Sequence, residues 1–164
     1  MRHGDILFAA IERSRDHLRP WMPWADQDRA ATDAYLARAQ ASWDAGTDFG
    51  YTLVDPVTSA ALGACGLIAR VGPGALEIGY WLVPSATGRG VMTAAVRALV
   101  IVAFALPGVD RVEIHCDEAN VRSAAVPGRL GFRLDRVVDD TPEAPGETGR
   151  SMVWVLEGPP PDAQ

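Results

Sequence analysis

The sequence predicts a mixed α+β fold in which helices flank a central, mostly antiparallel sheet with one splayed parallel strand pair. Between residues 49 and 83, three strand-like runs are separated by short turns, and the third is rich in aromatic and branched residues, a pattern typical of an antiparallel meander. A glycine loop, a helical pattern and a fourth strand-like run follow directly. Because a helix separates them, the third and fourth strands can lie parallel to each other. The 164 residues are expected to form one domain over residues 1–157, followed by a proline-rich tail over residues 158–164.

Two helices are predicted before the sheet. Apolar residues at helical spacing predict an amphipathic helix over residues 5–14, with Asp5 as its N-cap. A second helix is predicted from Thr32 to Trp43 and ends before Gly46. Between them, residues 17–24 contain two tryptophans and two prolines. This stiff aromatic segment is interpreted either as a hydrophobic plug between the helices or as the apolar wall of a ligand site.

The remaining elements are predicted from their periodicity and from the turns between them. Short turns with proline or glycine separate the first three strands, which makes these strands consecutive antiparallel neighbours. A longer loop joins the last two strands in a hairpin. The predicted elements are strands over residues 49–54, 61–68 and 75–83, a helix over 92–104, a strand over 111–116, a helix over 120–130 and strands over 132–138 and 151–156.

The loop Thr87-Gly88-Arg89-Gly90 lies between a strand that stops at Pro84 and a helix. Glycines let the backbone approach a bulky anion closely, and the first amides of a helix carry positive partial charge without an intrahelical partner. The sequence therefore predicts a phosphate-binding loop, with a plain tight turn as the alternative. A Walker A loop is excluded because the chain contains no lysine, and a dinucleotide fingerprint is only partly matched because Thr93 occupies its sixth position.

Composition narrows the class of partner. The formal charge of −6 argues against nucleic acid and favours a cationic partner. The chain has no apolar run long enough for a membrane span and no secretory signal pattern, so a cytoplasmic location without membrane contact is expected. Cys65 and Cys116 are expected to be free thiols, and no metal site is expected because the three histidines have no ligand-like spacing to them. A homodimer is left open.

Four motifs resemble one enzyme family. The loop with Ser85, Gly88 and Gly90 resembles the coenzyme A motif Gln/Arg-x-x-Gly-x-Gly/Ala of the GNAT superfamily of N-acetyltransferases. Three further motifs look like the branch of that family that includes the RimJ and RimL ribosomal-protein acetyltransferases. They are Leu-x-Pro-Trp at residues 18–21, Ile-Gly-Tyr-Trp-Leu at residues 78–82 and Asn-x-x-Ser-x-x-Val-x-x-x-Leu-Gly-Phe at residues 120–132.

The chain differs from the family pattern at three places. Ser85 replaces the family's Gln or Arg, and Pro127 stands where many relatives carry a tyrosine that acts as the general acid. In the family a strand precedes the first helix, and residues 1–4 are too few to supply it. That first strand is therefore expected to be missing or truncated.

The resemblance implies an N-acetyltransferase that uses acetyl-CoA and no metal. It implies Glu77 as the general base and Ser123 as the proton donor to the leaving thiolate. Without the resemblance, Glu77 could equally be a strand-end residue paired with an arginine, and Ser123 a residue that solvates the start of a helix. The implied coenzyme A contacts are the backbone near Trp81, Leu82 and Val83, the loop and helix residues Thr87, Gly88, Arg89, Gly90, Val91, Met92 and Thr93, and the cap residue Asn120.

The acceptor is expected to be a positively charged primary amine, a protein N-terminus first and a small amine such as an antibiotic or polyamine second. Trp21 and Trp24 are expected to form one wall of its site. The loop over residues 139–150, with Glu143 and Glu147, is expected to form the opposite, negatively charged wall. The alternative class is a non-catalytic acyl-CoA-binding or nucleotide-binding domain, which would need neither Glu77 nor Ser123.

Overall fold

The computed structural model describes residues 2–158, and the order of its elements confirms the predicted fold class. Of the predicted tail, all but Gly158 lies outside the described residues. The helices are α1 (Arg2–Glu12), α2 (Arg15–Leu18), α3 (Arg29–Asp44), α4 (Val91–Ala105) and α5 (Val121–Arg129), with a 3₁₀ turn at Pro84–Ala86. The strands are β1 (Asp48–Val54), β2 (Ala61–Ile68), β3 (Ala75–Leu82), β4 (Arg111–Asp117), β5 (Arg133–Asp139) and β6 (Arg150–Glu157).

One six-stranded sheet organises the fold, in the order β1-β2-β3-β4-β6-β5. All neighbours are antiparallel except β3 and β4, which are parallel, as the sequence predicted. The parallel contact is short, because it starts at Ala75↔Arg111 and ends at Glu77↔Glu113 although both strands continue beyond these residues. The two strands therefore part in the middle of the sheet and leave a gap between their carboxyl-terminal halves.

Helix α4 covers one face of the sheet. The helical stripe expected from the sequence is buried, because Met92, Val96, Leu99, Val100 and Ala103 are each at most 5% exposed. These residues pack with Leu67, Leu76, Ile78, Val112 and Ile114 from the three central strands, which form the main core. The burial of this stripe fixes the position of the α4 N-terminus next to the gap.

The N-terminal helices differ from the predicted bounds. Helix α1 starts at Arg2, so Asp5 lies in the first turn instead of capping it. Helix α3 starts at Arg29, three residues earlier than predicted, because the carboxylate of Asp28 accepts the Ala31 N–H at 2.8 Å and caps the helix there. Within residues 2–158 no strand precedes α1. None of the helices in this range is long and apolar enough to span a membrane.

The two cysteines are free thiols, as predicted. Cys65 is buried on β2, and burial raises its pKa to about 11. Cys116 is half-buried on β4, and burial raises its pKa as well. Both thiols therefore stay protonated at neutral pH.

Candidate active site

A cavity of about 1000 Å³ opens where β3 and β4 part. The loop before α4 and the start of α4 form one side of it, and the start of α5 and the segment after α2 form the others. Residues from all of these elements line the cavity: His17, Trp21 and Met22, Tyr80 to Leu82, Thr87, Gly88, Gly90 to Thr93, Arg97, Asn120 to Ser123, and Arg129. The gap in the sheet thus connects the two faces of the domain.

The glycine loop has the geometry of an anion site. Gly88 and Gly90 have φ angles of 71° and 77°, and Gly90 is the N-cap residue of α4 without a side-chain cap. The first backbone acceptor in the helix is used by Ala94, so the N–H groups of the preceding turn have no intrahelical partner. A Cβ atom at either glycine would meet no heavy atom of a non-neighbouring residue within 4 Å, so the space in front of the loop is open.

Three arginines give the cavity a positive charge that the sequence analysis did not single out. Arg97 on α4 and Arg122 and Arg129 on α5 line the cavity, and none of them forms an ion pair with another residue in the range 2–158. In a chain with a formal charge of −6, a concentration of unpaired guanidinium groups marks the place for an anionic ligand. Among the predicted loop residues, Arg89 is exposed and lies outside the lining.

The end of β3 presents backbone groups to the gap. The backbone of Val83, expected to contact coenzyme A, is already engaged, because its N–H donates to the carbonyl of Leu62 on β2 at 2.8 Å. Val83 is also buried and does not line the cavity, whereas Trp81 and Leu82 do. Backbone N–H groups point alternately to the two sides of a strand, so the N–H of Leu82 points away from β2 and into the gap.

Two hydroxyl groups meet at the cavity wall. Ser123 Oγ donates to Tyr80 Oη at 3.2 Å, and Tyr80 Oη donates to the backbone carbonyl of Ser123 at 3.0 Å. Asn120 caps α5, because its side-chain oxygen accepts the Ser123 N–H at 3.1 Å. Burial raises the pKa of Tyr80, so its hydroxyl remains protonated at neutral pH. Ser123 and Asn120 are predicted site residues, whereas Tyr80 was not predicted. Pro127 in place of the family's tyrosine was the signal in the sequence that another tyrosine could act at the site.

Glu77 lies outside the cavity lining, where β3 and β4 still pair. Its side chain is only 5% exposed, and Arg70 donates to both carboxylate oxygens, with Nε at 2.8 Å from Oε2. This contact is the arginine pair that the sequence left open as the structural alternative. On the neighbouring strand, Glu113 is buried as well and accepts from Arg111 and from the ring of His115.

The segment with two tryptophans reaches the cavity from the sheet face opposite α4. Trp21 lines the cavity, and Trp24 packs edge-on against Trp81 with 5.7 Å between ring centroids. The pKa of His17 is lowered by burial and by the nearby charge of Arg122, which shows that this segment faces α5 across the opening. Trp21 is therefore a wall residue, and Trp24 holds that wall on the sheet.

The loop between β5 and β6 touches this segment. The N–H of Gly146 donates to the carbonyl of Pro20 at 2.8 Å, and a Cβ atom on Gly146 would lie 2.6 Å from that oxygen. On its other side, the carboxylate of Asp117 accepts the N–H groups of Thr148 and Gly149. The two predicted acceptor walls are therefore adjacent in space.

Within this loop the two predicted glutamates have different surroundings. Glu147 Oε2 accepts the N–H groups of Glu143 and Ala144 at 2.7 and 3.0 Å, so its carboxylate caps its own loop instead of presenting free charge. The prediction of a free charge at Glu147 is therefore corrected. Both glutamates line a separate polar crevice of about 80 Å³ with Asp117 and Asp140, outside the large cavity. The pKa of Arg70 is raised chiefly by its hydrogen bonds to Glu77, with Glu143 a small further contributor.

A parallel strand pair that parts over an anion-binding helix start, with unpaired arginines around the gap, suits an anionic ligand that carries a long, narrow arm. Acetyl-CoA fits these residues, because its phosphates match the open glycine loop and the arginines and its pantetheine arm needs the gap between strands. The model of the Acetyltransferase (GNAT) domain matches residues 2–133, and the chain therefore belongs to the GNAT acetyltransferase family, which uses acetyl-CoA.

A curated relative points to the same family. The chain is 45% identical over 56 residues to YdaF of Bacillus subtilis (strain 168), a protein named as a ribosomal N-acetyltransferase. The matched stretch covers 34% of this chain and 31% of that protein. The chain thus aligns with about a third of this relative's length.

Solved structures share the fold at low identity. The microcin C7 self-immunity acetyltransferase MccE, in complex with acetyl-CoA and AMP, superposes with a TM-score of 0.86 at 18% identity and covers 96% of this chain and 88% of its own. RimL, a ribosomal L7/L12 alpha-N-protein acetyltransferase in complex with coenzyme A, has a TM-score of 0.85 at 21% identity over 95% and 89% of the two chains. The ribosomal-protein-S5-alanine acetyltransferase from Vibrio fischeri has a TM-score of 0.82 at 21% identity over 98% and 90%.

Proposed function

We propose that this protein is a cytoplasmic enzyme that transfers the acetyl group of acetyl-CoA to the α-amine of a protein N-terminus. The observation that carries the proposal is the course of the cavity. It runs from the glycine loop on one face of the sheet, through the gap between β3 and β4, to Trp21 on the other face. A co-substrate and an acceptor can therefore enter from opposite faces and meet at Tyr80 to Leu82. The names of YdaF, RimL and the Vibrio fischeri enzyme support a protein N-terminus as the acceptor.

The cofactor side is built for binding. The free amides at the start of α4 hold the pyrophosphate, and Arg97, Arg122 and Arg129 offset the remaining phosphate charge. Bound in this way, acetyl-CoA supplies an acetyl group activated as a thioester. The N–H of Leu82 is the donor for the carbonyl oxygen, because it is the β3 amide directed into the gap. A fixed backbone donor of this kind stabilises the negative charge that develops during acyl transfer.

The thiolate that leaves must receive a proton. Ser123 and Tyr80 supply it, because their hydroxyls line the cavity and are linked by a hydrogen bond of 3.2 Å. Ser123 gives its hydroxyl proton to the thiolate. Tyr80 stays protonated because its pKa is raised, so it orients the serine hydroxyl and can return a proton to Ser123.

The acceptor amine must lose a proton before it can attack. The ionisable cluster of Glu77, Glu113 and His115 lies on the sheet face of Trp81, at the point where β3 and β4 part. An α-amine has a reference pKa of about 8 and a lysine amine of about 10.4, so an α-amine requires less of a base. The proposed acceptor is therefore the one that this site can deprotonate with the least difficulty.

The acidic loop attracts the acceptor. Within residues 2–158 no hydrogen bond to the Glu143 carboxylate occurs, and its loop contacts the two-tryptophan segment through the hydrogen bond from Gly146 to Pro20. Its charge therefore lies on the side of the sheet from which the acceptor is proposed to enter. We expect Glu143→Gln to raise the acceptor KM by about 2- to 5-fold at low salt and less at 0.5 M salt, because exposed charges are screened. Acetyl-CoA affinity should not change. Steady-state kinetics at two ionic strengths measure the effect.

Glu157→Gln is the matched control for that variant. Glu157 is an exposed glutamate at the far end of β6, and the substitution removes the same charge from the chain. A salt-dependent rise in the acceptor KM of both variants would show that only net charge matters. An unchanged acceptor KM in Glu143→Gln would show that the loop does not contribute to the acceptor site.

A substrate panel tests the proposed function. Thiol release from acetyl-CoA is followed with peptides that have a free α-amine, with the same peptides blocked at the α-amine, and with aminoglycosides and polyamines. We expect the highest kcat/KM for free α-amine peptides and loss of activity on blocking. A preference for small amines would reassign the acceptor class, and acetyl-CoA binding without turnover on any amine would indicate a non-catalytic binding domain.

A further inference from the structure

His115 lies on the sheet face that also carries Trp81, here called the acceptor face, and no individual role has yet been assigned to it. It lies on β4 between two buried carboxylates, with Nε2 2.6 Å from Glu113 Oε2 and Nδ1 3.8 Å from Glu77 Oε2. The side chains of Glu77 and Glu113 are 5% and 3% exposed, whereas that of His115 is 29% exposed. Within this cluster the imidazole is therefore the group that an incoming molecule can reach.

The contact with Glu113 fixes the protonation pattern of the ring. A carboxylate can only accept hydrogen bonds, so Nε2 of His115 must carry the hydrogen in the 2.6 Å contact. In the neutral ring Nδ1 is then an unprotonated acceptor. Arg111 holds the other oxygen of Glu113 at 2.8 Å, which fixes the carboxylate in turn. The result is a base oriented by a buried carboxylate.

Glu77 is less suited to accept a proton. Both of its oxygens already accept hydrogen bonds from Arg70. A proton on this carboxylate would have to displace one of these hydrogen bonds from the guanidinium group. The Glu77 carboxylate lies 3.8 Å from Nδ1 of His115, so it is an anion beside the nitrogen that would take the proton.

The backbone gives His115 access to the acceptor face. Glu113 forms the last parallel pair with Glu77, and His115 is the next residue of β4 on the same face, where the strands part. Gly79 is the β3 residue at the level of His115, and it has no side chain. A Cβ atom at this position would have one heavy atom within 4 Å, Ile68 Cδ1 at 3.4 Å. Two residues further along β3, on the same face, is Trp81, which lines the cavity. His115 itself does not line the cavity, but Gly79 contributes no side chain between it and the lining residue Trp81.

We infer that His115 is the general base of the acetyl transfer and that Glu113 is its positioning residue, an inference that rests on the proposed function. Nδ1 of His115 takes one proton from the acceptor ammonium group, which leaves a neutral amine. The amine nitrogen forms a bond to the acetyl carbon, and the carbon–sulfur bond breaks with its electron pair on sulfur. The second amine proton replaces the one that the hydroxyl pair gives to the thiolate, and the proton on His115 passes to water.

The charges around the ring fit this role and no other obvious one. Two carboxylates contact the ring, Glu77 on β3 and Glu113 on its own strand, and Arg70 and Arg111 in turn hold these carboxylates. Asp117 follows His115 by two residues on the same face of β4, and the neighbour of His115 on β6 is the buried apolar Val153. Both carboxylates are engaged by guanidinium groups, which would have to leave before a cation could bind. No group of three or more potential ligands suited to a metal ion occurs among residues 2–158.

The test compares two matched glutamine variants. His115→Gln should lower kcat with a free α-amine peptide by about 10²-fold or more, the usual contribution of a general base, and leave the acetyl-CoA Kd measured by calorimetry unchanged. Glu77→Gln should lower kcat by less than about 10-fold, because Glu77 acts only through its charge on the ring. A larger loss in Glu77→Gln than in His115→Gln would overturn the inference and make Glu77 the base.

A second measurement does not depend on the folding of a variant. In the wild-type protein, the titration midpoint of the His115 ring followed by NMR with bound acetyl-CoA should coincide with the midpoint of the ascending limb of kcat against pH. A residue with a structural role alone would give no such agreement, and disagreement would overturn the inference. If the wild-type protein acetylated no amine, the proposed function itself would be wrong. That result differs from active protein in which the two midpoints disagree, which would refute only the role of His115.

Discussion

Gly90→Val should weaken acetyl-CoA binding by at least about 10²-fold while the domain stays folded. A loss of this size corresponds to about 2.7 kcal/mol, which one or two lost hydrogen bonds to a charged phosphate can supply. Gly90 has a φ of 77° and faces open space, so the valine would point into the volume that the pyrophosphate needs. A β-branched residue also resists this φ, which would pull the first amides of α4 out of position. Calorimetry with acetyl-CoA measures the affinity.

Gly108→Val is the matched control. Gly108 has nearly the same φ, 79°, and the same open surroundings, but it lies between α4 and β4, away from the cavity lining. Both variants should lose about 1–3 kcal/mol of stability to backbone strain, which denaturant unfolding can show. Only Gly90→Val should lose affinity. Wild-type affinity in a folded Gly90→Val protein would refute the assignment of the glycine loop.

Tyr80→Phe should lower kcat by about 10- to 100-fold without weakening acetyl-CoA binding by a similar factor. The substitution removes the hydroxyl that Ser123 Oγ contacts at 3.2 Å and keeps the ring that packs in the core. The raised pKa of Tyr80 means that its hydroxyl is already neutral throughout the range in which the enzyme can be assayed. The loss should therefore be the same from about pH 6 to about pH 9, well below the reference tyrosine pKa of about 10.

Two further variants make this prediction specific. Tyr51→Phe removes a hydroxyl from a partly exposed tyrosine on β1 and should have no effect on kcat. Ser123→Ala should cost a similar factor to Tyr80→Phe, and the double variant little more than either, because the two hydroxyls act through one hydrogen bond. Fully additive losses would mean that the hydroxyls act separately, and unchanged kcat in Tyr80→Phe would exclude the tyrosine from proton transfer.

Elements governed by local pattern were predictable from the sequence. The bounds of β2 were predicted without error, and those of β1, β3 and β4 to within one residue, because alternating or apolar runs end at proline and glycine turns. The start of α3 was not predicted correctly. Its cap, Asp28, lies in a run of polar residues in which several side chains could cap a helix equally well. Cap choice depends on how the helix packs, which a single sequence does not contain.

The glycine loop and Ser123 were found for the same reason, since each belongs to a contiguous motif. Arg97 and His115 were missed as site residues, because strands and helices distant in sequence bring them to the site. Tyr80 lies inside the motif at residues 78–82, but its role follows from a contact with Ser123, which is distant in sequence. The exposed charge of Glu147 was predicted from composition alone, whereas its hydrogen bonds to two amides follow from the loop conformation. Residues whose roles arise from tertiary contacts need the structure.

The central claim is that the gap between β3 and β4 brings acetyl-CoA to an N-terminal amine. The most direct measurement uses acetyl-CoA labelled with ¹³C in the acetyl group and a peptide that carries both a free α-amine and one lysine. Tandem mass spectrometry then locates the label. We predict that the wild-type protein places the label on the α-amine and not on the lysine. At an acetyl-CoA concentration near the wild-type Kd, Gly90→Val should label the α-amine far more slowly. Label on the lysine, or none on either amine with the wild-type protein, would contradict the proposed function.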